Sequence, residues 1–191
     1  MKLCEVLSGV DLDRMYDIFS DSYNKSVGVS WSREKFMSRA RNWEFHGDES
    51  GFVATRSQRG GLLKLVGSGG NSRGILRGIK ELLVGSEPVW GFVSSDILGM
   101  ATKLGFISPP SIVIKGMMKI IPSSAFGDVS FVVNGDGSVT FSYDDVGDAR
   151  KYFIGSKSYF KFILDNFGDR VGLMGKPVVL LMKKLIGESY E

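Results

Sequence analysis

Apolar positions along this chain switch between helical and strand spacing, and the switch points outline its elements. MKLCEVLSG, residues 1–9, reads as a first strand. Asp11 is placed to cap a helix in which Leu12, Met15 and Phe19 fall at helical spacing. A second helix is predicted over 32–43, with Phe36, Met37, Ala40 and Trp43 as its apolar face. EFHGDES reads as a polar turn, and GFVATRS as a strand. Gln58 to Gly61 makes a tight connection to another strand, GLLKLVG. A glycine-rich turn follows, then a helix with Ile75, Leu76, Ile79, Leu82 and Leu83 on one face.

PVWGFVS predicts the next strand. Ser94 or Ser95 then caps a short helix with Asp96 in its first turn and Gly105 at its end. In FISPPSIVIKGMMKII, Pro109 and Pro110 predict a broken extended segment. FVVNGDGSVTF is a hairpin signal around Asn134-Gly135-Asp136-Gly137. A helix through Tyr152, Tyr159, Phe160 and Ile163 and a closing strand, KPVVLLMKKL, complete the reading. The order predicts an α/β (α+β) fold, a mixed central sheet flanked by helices, with a C-terminal hairpin-helix-strand extension. The core is expected over 1–121, and the extension, 122–191, packs on it.

Composition narrows the class. A chain of 191 residues with 43% hydrophobic and 24% charged residues has room for one sizeable globular domain. No apolar run reaches the length of a membrane span, and the early acidic residues argue against a secretory signal. Cys4 is the single cysteine, which excludes an internal disulfide and points to a reducing cytoplasm. With one histidine, His46, neither a multi-histidine metal site nor a Cys/His zinc cluster can be assembled. The expectation is a cytoplasmic protein with no metal and no membrane partner. A homo-oligomer is compatible with all of this.

The net charge of +3 is mild for a nucleic-acid binder, but its distribution is uneven. Between Ser50 and Lys80 there is no acidic residue, while Arg56, Arg59, Lys64, Arg73, Arg77 and Lys80 all fall there. The segment GSGGNSRGILRGIKELL, residues 67–83, therefore sits in a basic window suited to a polyanionic ligand. A Walker loop is excluded, because no lysine in this segment precedes Ser or Thr. The dinucleotide fingerprint fails as well, since counting from Gly67 its last glycine position is Ser72. What remains is a strand, a glycine-rich turn and a helix N-terminus, whose amides and dipole favour a phosphate.

A strand, a loop of the type R/Q-x-x-G-x-G/A, a helix, a strand and a helix ending in L-G-F together resemble the GCN5-related N-acetyltransferase (GNAT) superfamily. The likeness covers roughly residues 1–120. Asn71, Ser72, Arg73, Gly74, Ile75 and Leu76 occupy the loop position, and SSDILGMATKLGF is the helix ending at Leu104-Gly105-Phe106. The short, divergent chain is also similar in texture to phage-encoded members. The resemblance implies acetyl-CoA as co-substrate, its pyrophosphate on the loop amides and its 3′-phosphate near basic side chains. It also implies a pantetheine arm between two splayed parallel strands, and direct attack by an amine on the thioester. Backbone amides of Leu65 and Val66 would stabilise the oxyanion at a bulge, and Ser94 would shape the pantetheine end. Departures are Asn71 for Arg or Gln, Leu76 for Gly or Ala, Ser94 where many relatives have Asn, and Ala101 where many have a tyrosine acid.

Aminolysis also needs a base. Glu44, His46, Asp48 and Glu49 precede the GFVATRS strand as a rim for the acceptor pocket, with His46 favoured by a pKa near neutrality. Tyr143 is the candidate replacement acid, with Tyr152 and Tyr159 as core-packing alternatives, and Asp144 and Asp145 would attract a cationic acceptor. Trp31, Trp43 and Trp90 read as core or rim aromatics. The leading expectation is an acyl-CoA-dependent N-acyltransferase acting on an amine acceptor. Two alternatives stay open: a catalytically degenerate binding or virion-associated phage protein of the same fold, and a phage DNA base-modification enzyme of the Mom type. Nucleic acid ranks behind the amine as a partner.

Overall fold

A computed structural model describes residues 11–27, 31–121, 126, 130–143, 147–170 and 175–188. The expected first strand with Cys4 lies outside these residues, as do Asp144 and Asp145. Helices α1 (Leu12–Val27) and α2 (Arg33–Ala40) come first, capped by Asp11 and Ser32. Strands β1 (Glu44–Asp48), β2 (Gly51–Ser57) and β3 (Leu63–Gly70) form an antiparallel meander. Helix α3 (Ser72–Val84) then crosses to β4 (Val89–Val93), which runs parallel to β3. Helices α4 (Ser95–Leu104) and α5 (Ser111–Ile120) follow. The hairpin strands β5 (Val132–Val133) and β6 (Ser138–Tyr143) lead to β7 (Gly147–Gly155), α6 (Lys157–Phe167) and α7 (Lys176–Ile186). The mixed sheet has the order β1-β2-β3-β4-β7-β6-β5.

Five expectations are corrected. EFHGDES is not a turn: Glu44–Asp48 is an edge strand, held by Phe45, which is buried against Phe52. GSGG is not a turn either but the end of β3, where glycine lets α1 cross directly on the strand. A Cβ at Gly67 would meet the Phe19 ring at 3.3 Å, and one at Gly69 would meet the Phe19 Cα at 3.0 Å. The chain reverses only at Gly70, whose φ of 91° favours glycine. SIVIKGMMKI is a helix, because Pro110 occupies its N-cap and removes no helical hydrogen bond there. The final run is also helical: Pro177 sits in its first turn, and Val178 and Met182, four apart, are buried. Tyr152 belongs to β7 rather than to α6, which starts at the Ser156 cap.

Helices cover both faces of the sheet. On one face α3 and α4 bury Ile75, Ile79, Leu82 and Phe106 against Val53 and Val89. On the other, α1 and α2 pack Phe19 and Phe36 over β1–β3. A third cluster joins Trp90 to Phe153, Val113, Tyr159 and Met182, so residues from both sides of position 121 share one core. The Ser156 hydroxyl accepts from the amides of Val89 and Tyr159 at 3.0 and 3.1 Å, tying the start of β4 to α6.

Helix α3 has no side-chain layer beneath one stripe. A Cβ at Gly74 would lie 2.4 Å from the Gly51 nitrogen, and one at Gly78 would lie 2.4 Å from the His46 carbonyl oxygen. Gly78→Ala is therefore expected to cost about 1–3 kcal/mol through overpacking. The melting temperature should drop by roughly 3–10 °C. Gly99→Ala, on α4 with nothing within 4 Å of the new methyl, should instead be neutral or stabilising. Equal losses in thermal unfolding of the two variants would refute the packing argument. A second expectation concerns Tyr159, whose buried hydroxyl has no hydrogen-bond partner among the described residues. Tyr159→Phe should raise stability by about 1 kcal/mol in denaturant unfolding.

Candidate functional site

β3 and β4 are paired only at Leu63↔Val89 and Lys64↔Trp90, although both strands continue beyond that point. Two features part them. On the β2 side, Ala54 pairs with Gly67 and Thr55 with Leu65, so Val66 is an extra residue that bulges and twists β3. On the β4 side, Leu65 occupies the space a side chain would need at Gly91, where a Cβ would fall 2.5 Å from the Leu65 Cβ. The gap opens into a cleft of about 800 Å³ that draws its lining from both faces of the sheet. Leu65, Ser72, Ile75, Val93 and Ser94 line it on the α3 side, and Trp31, Trp43, Arg56, Lys64, Phe92 and Lys151 on the other.

Of the residues expected to hold the cofactor, Leu65, Val66, Ser72, Ile75 and Ser94 line this cleft. Ser94 is the N-cap residue of α4, yet its hydroxyl makes no capping bond. Asn71 is the N-cap of α3, where its side chain accepts from the Gly74 amide at 3.0 Å and its own amide donates to the Ser50 carbonyl at 2.8 Å. Gly74 is buried against Gly51, Arg73 is exposed and Leu76 is half-buried; none of these three contributes to the walls.

The catalytic candidates do not converge on the cleft. His46 lies on the α3 face of β1, with Nε2 3.1 Å from the Thr55 hydroxyl, and is not part of the walls. Glu44 is exposed at the start of β1. Tyr143 ends β6 opposite Gly147, next to Ser142, which does line the cleft. Ala101 is fully buried under α3 and brings no hydroxyl. The acidic cluster is engaged in ion pairs: Asp48 with Arg77 at 2.6 Å and Glu49 with Arg14 at 2.9 Å. Hydrogen bonds from the Ser50 hydroxyl and amide, with Arg77 nearby, hold the Asp48 carboxyl below its usual range.

Three cations that sequence spacing did not single out reach the cleft. Lys35 and Arg39 on α2 lie 5.2 and 5.1 Å from the Trp31 ring centre. Lys151 on β7 sits 5.9 Å from the Phe141 ring, and burial pushes its ammonium pKa down. With Arg56 and Lys64, five cations line the cleft against one carboxylate, Asp96, among the described residues. No helix among the described residues is long and apolar enough to cross a membrane. The chain matches no family model, and no curated protein or solved structure matches it.

Burial pushes the His46 imidazole below its ordinary value of 6.5, against smaller opposing pulls from Glu44, Glu81 and Glu87. The folded chain thus binds this proton more weakly than the unfolded chain. The His46 contribution is complete above about pH 6.5 and is lost as pH falls through and below that value. Melting temperature should decline between about pH 7 and pH 5. His46→Gln, which keeps a partner for Thr55, should flatten that decline; an unchanged slope would show that His46 is not its source.

Proposed function

We propose that the chain is an acyl-CoA-dependent acyltransferase of the GNAT type, acting on an amine. The observation that carries this reading is the parted β3–β4 pair, with its bulge at Val66 and the start of α3 forming one wall. In this reading Ser72 and the amides of the first α3 turn hold the phosphates, where the helix dipole favours an anion. Leu65 and Val66 stand beside the acyl carbonyl, and a bulged amide donates to the oxyanion. The acceptor enters from the face lined by Trp31 and Arg56. The neutral amine forms a bond to the carbonyl carbon, and the tetrahedral adduct breaks its C–S bond. The proton shed by the nitrogen passes to the departing sulfur, giving amide and free thiol. Lys64 and Lys151 stabilise the charge on that sulfur in place of the tyrosine hydroxyl that Ala101 cannot supply.

Neither His46 nor Glu44 enters this scheme, because neither lines the cleft. The same two facts, a buried Ala101 and an outlying His46, favour the second reading of a fold that binds acyl-CoA without turning it over. Titration calorimetry with acetyl-CoA decides on binding, and an amine panel decides between the readings. Ser72→Glu is the informative variant: a carboxylate in the first turn suits the helix but repels phosphate. The variant should fold as well as the parent and bind acetyl-CoA at least about tenfold more weakly, a loss of 1.4 kcal/mol. Absence of parental binding at millimolar acetyl-CoA would remove both readings.

A further inference from the structure

The α2-facing wall of the cleft is unlike the α3-facing wall. Its cations come from four elements: Lys35 and Arg39 from α2, Arg56 from β2, Lys64 from β3 and Lys151 from β7. Asp96, the lone carboxylate of the described lining, begins α4, whose apolar side packs with α3 on the opposite face. Among the cations stand aromatic rings: Trp31, Trp43, Phe92 and Phe141 all line the same space. A basic peptide would meet five cations and one carboxylate in the described lining. A small inorganic anion would use the charges and leave the rings without a role. Cations interleaved with rings in a recessed groove match a nucleotide chain with unstacked bases. A duplex keeps its bases paired, so it cannot offer them to these rings.

We propose that this wall binds single-stranded nucleic acid. The backbone phosphates lie along Arg39, Arg56, Lys64 and Lys151, and the bases lie against the aromatic positions, Trp31 first. The site does not depend on the acyl-CoA reading. If both hold, the acceptor is a nucleotide strand meeting the thioester through the gap between β3 and β4.

The test is fluorescence anisotropy with a labelled strand of about 12 nucleotides, as DNA and as RNA, with the matching duplex and a mononucleotide as competitors. Neutralising three to five phosphates gives a log–log salt slope of about −2 to −3.5, so affinity should fall roughly 20- to 100-fold between about 50 and 200 mM salt. Arg39 and Arg56 are exposed, so Arg39→Glu with Arg56→Glu should leave the melting temperature near the parent's while weakening the strand at least about 30-fold. Ser72→Glu should leave strand affinity within about twofold, which separates this site from the acyl-CoA seat. Stronger binding of the strand than of the mononucleotide supports the polymer as ligand, and equal site affinities overturn it in favour of a free nucleotide. The proposal is overturned if neither binds at low salt or if duplex binds as well as strand. It is overturned equally if Ser72→Glu abolishes strand binding and acetyl-CoA displaces the strand, because the cations then serve the CoA phosphates alone.

Discussion

Everything about this molecule's cleft depends on how briefly β3 and β4 stay together. Two register pairs join them, and then Leu65 occupies the place beside Gly91 where a further side chain would have kept the sheet flush. The bulge at Val66 completes the turn-away. A fully zipped sheet would isolate α3 and α4 on one face from α1 and α2 on the other. Parting the strands makes both faces border one space, and members of the α3-side cluster, Ile75, Ile79 and Phe106, form part of its lining. Ser156, whose hydroxyl accepts from the Val89 amide, ties the start of β4 to α6.

Charge is sorted by position. Carboxylates pair at the periphery: Asp48 with Arg77, Glu49 with Arg14, Asp13 and Asp17 with Arg33, and Asp136 with Arg150. Such exposed pairs add little stability each. Their larger effect is distributional, because they keep these acidic groups off the described lining of the cleft, where five cations face one carboxylate. A chain of net charge +3 thereby gathers five of its cations in the described lining of one cleft.

The elements with strong local signals were legible in the sequence. GFVATRS is β2, the Asn134–Gly137 turn joins β5 to β6, and the amphipathic α3 and the Gly105 stop of α4 stand as expected. The misread segments are those where tertiary packing outweighs composition. Polar EFHGDES becomes a strand because β2 offers it an edge, and the β-branched start of α7 becomes a helix because Val178 fits over Gly116. The site was half legible. Leu65, Val66, Ser72, Ile75 and Ser94 come from a contiguous stretch with a recognisable pattern. Of the six cations in the basic window, only Arg56 and Lys64 line the cleft; Lys35, Arg39 and Lys151 arrive from distant segments that no spacing rule connects. Gly74, which a motif comparison assigns to phosphate approach, is a glycine because β2 lies directly beneath it.

That contact divides the cleft into a fixed half and an adjustable one. Gly74 and Gly78 seat α3 backbone-to-backbone on the β1–β2 hairpin, so its orientation is set without an intervening side chain that could be exchanged. A side chain at either position would have to displace backbone of that hairpin, so the wall α3 forms is fixed by main-chain contact. The opposite wall includes the exposed side chains of Lys35 and Arg39 on α2 and of Asn42 just beyond it, which lie outside the buried core. A change of side chain is therefore costly beneath α3 and cheap on the exposed face of α2.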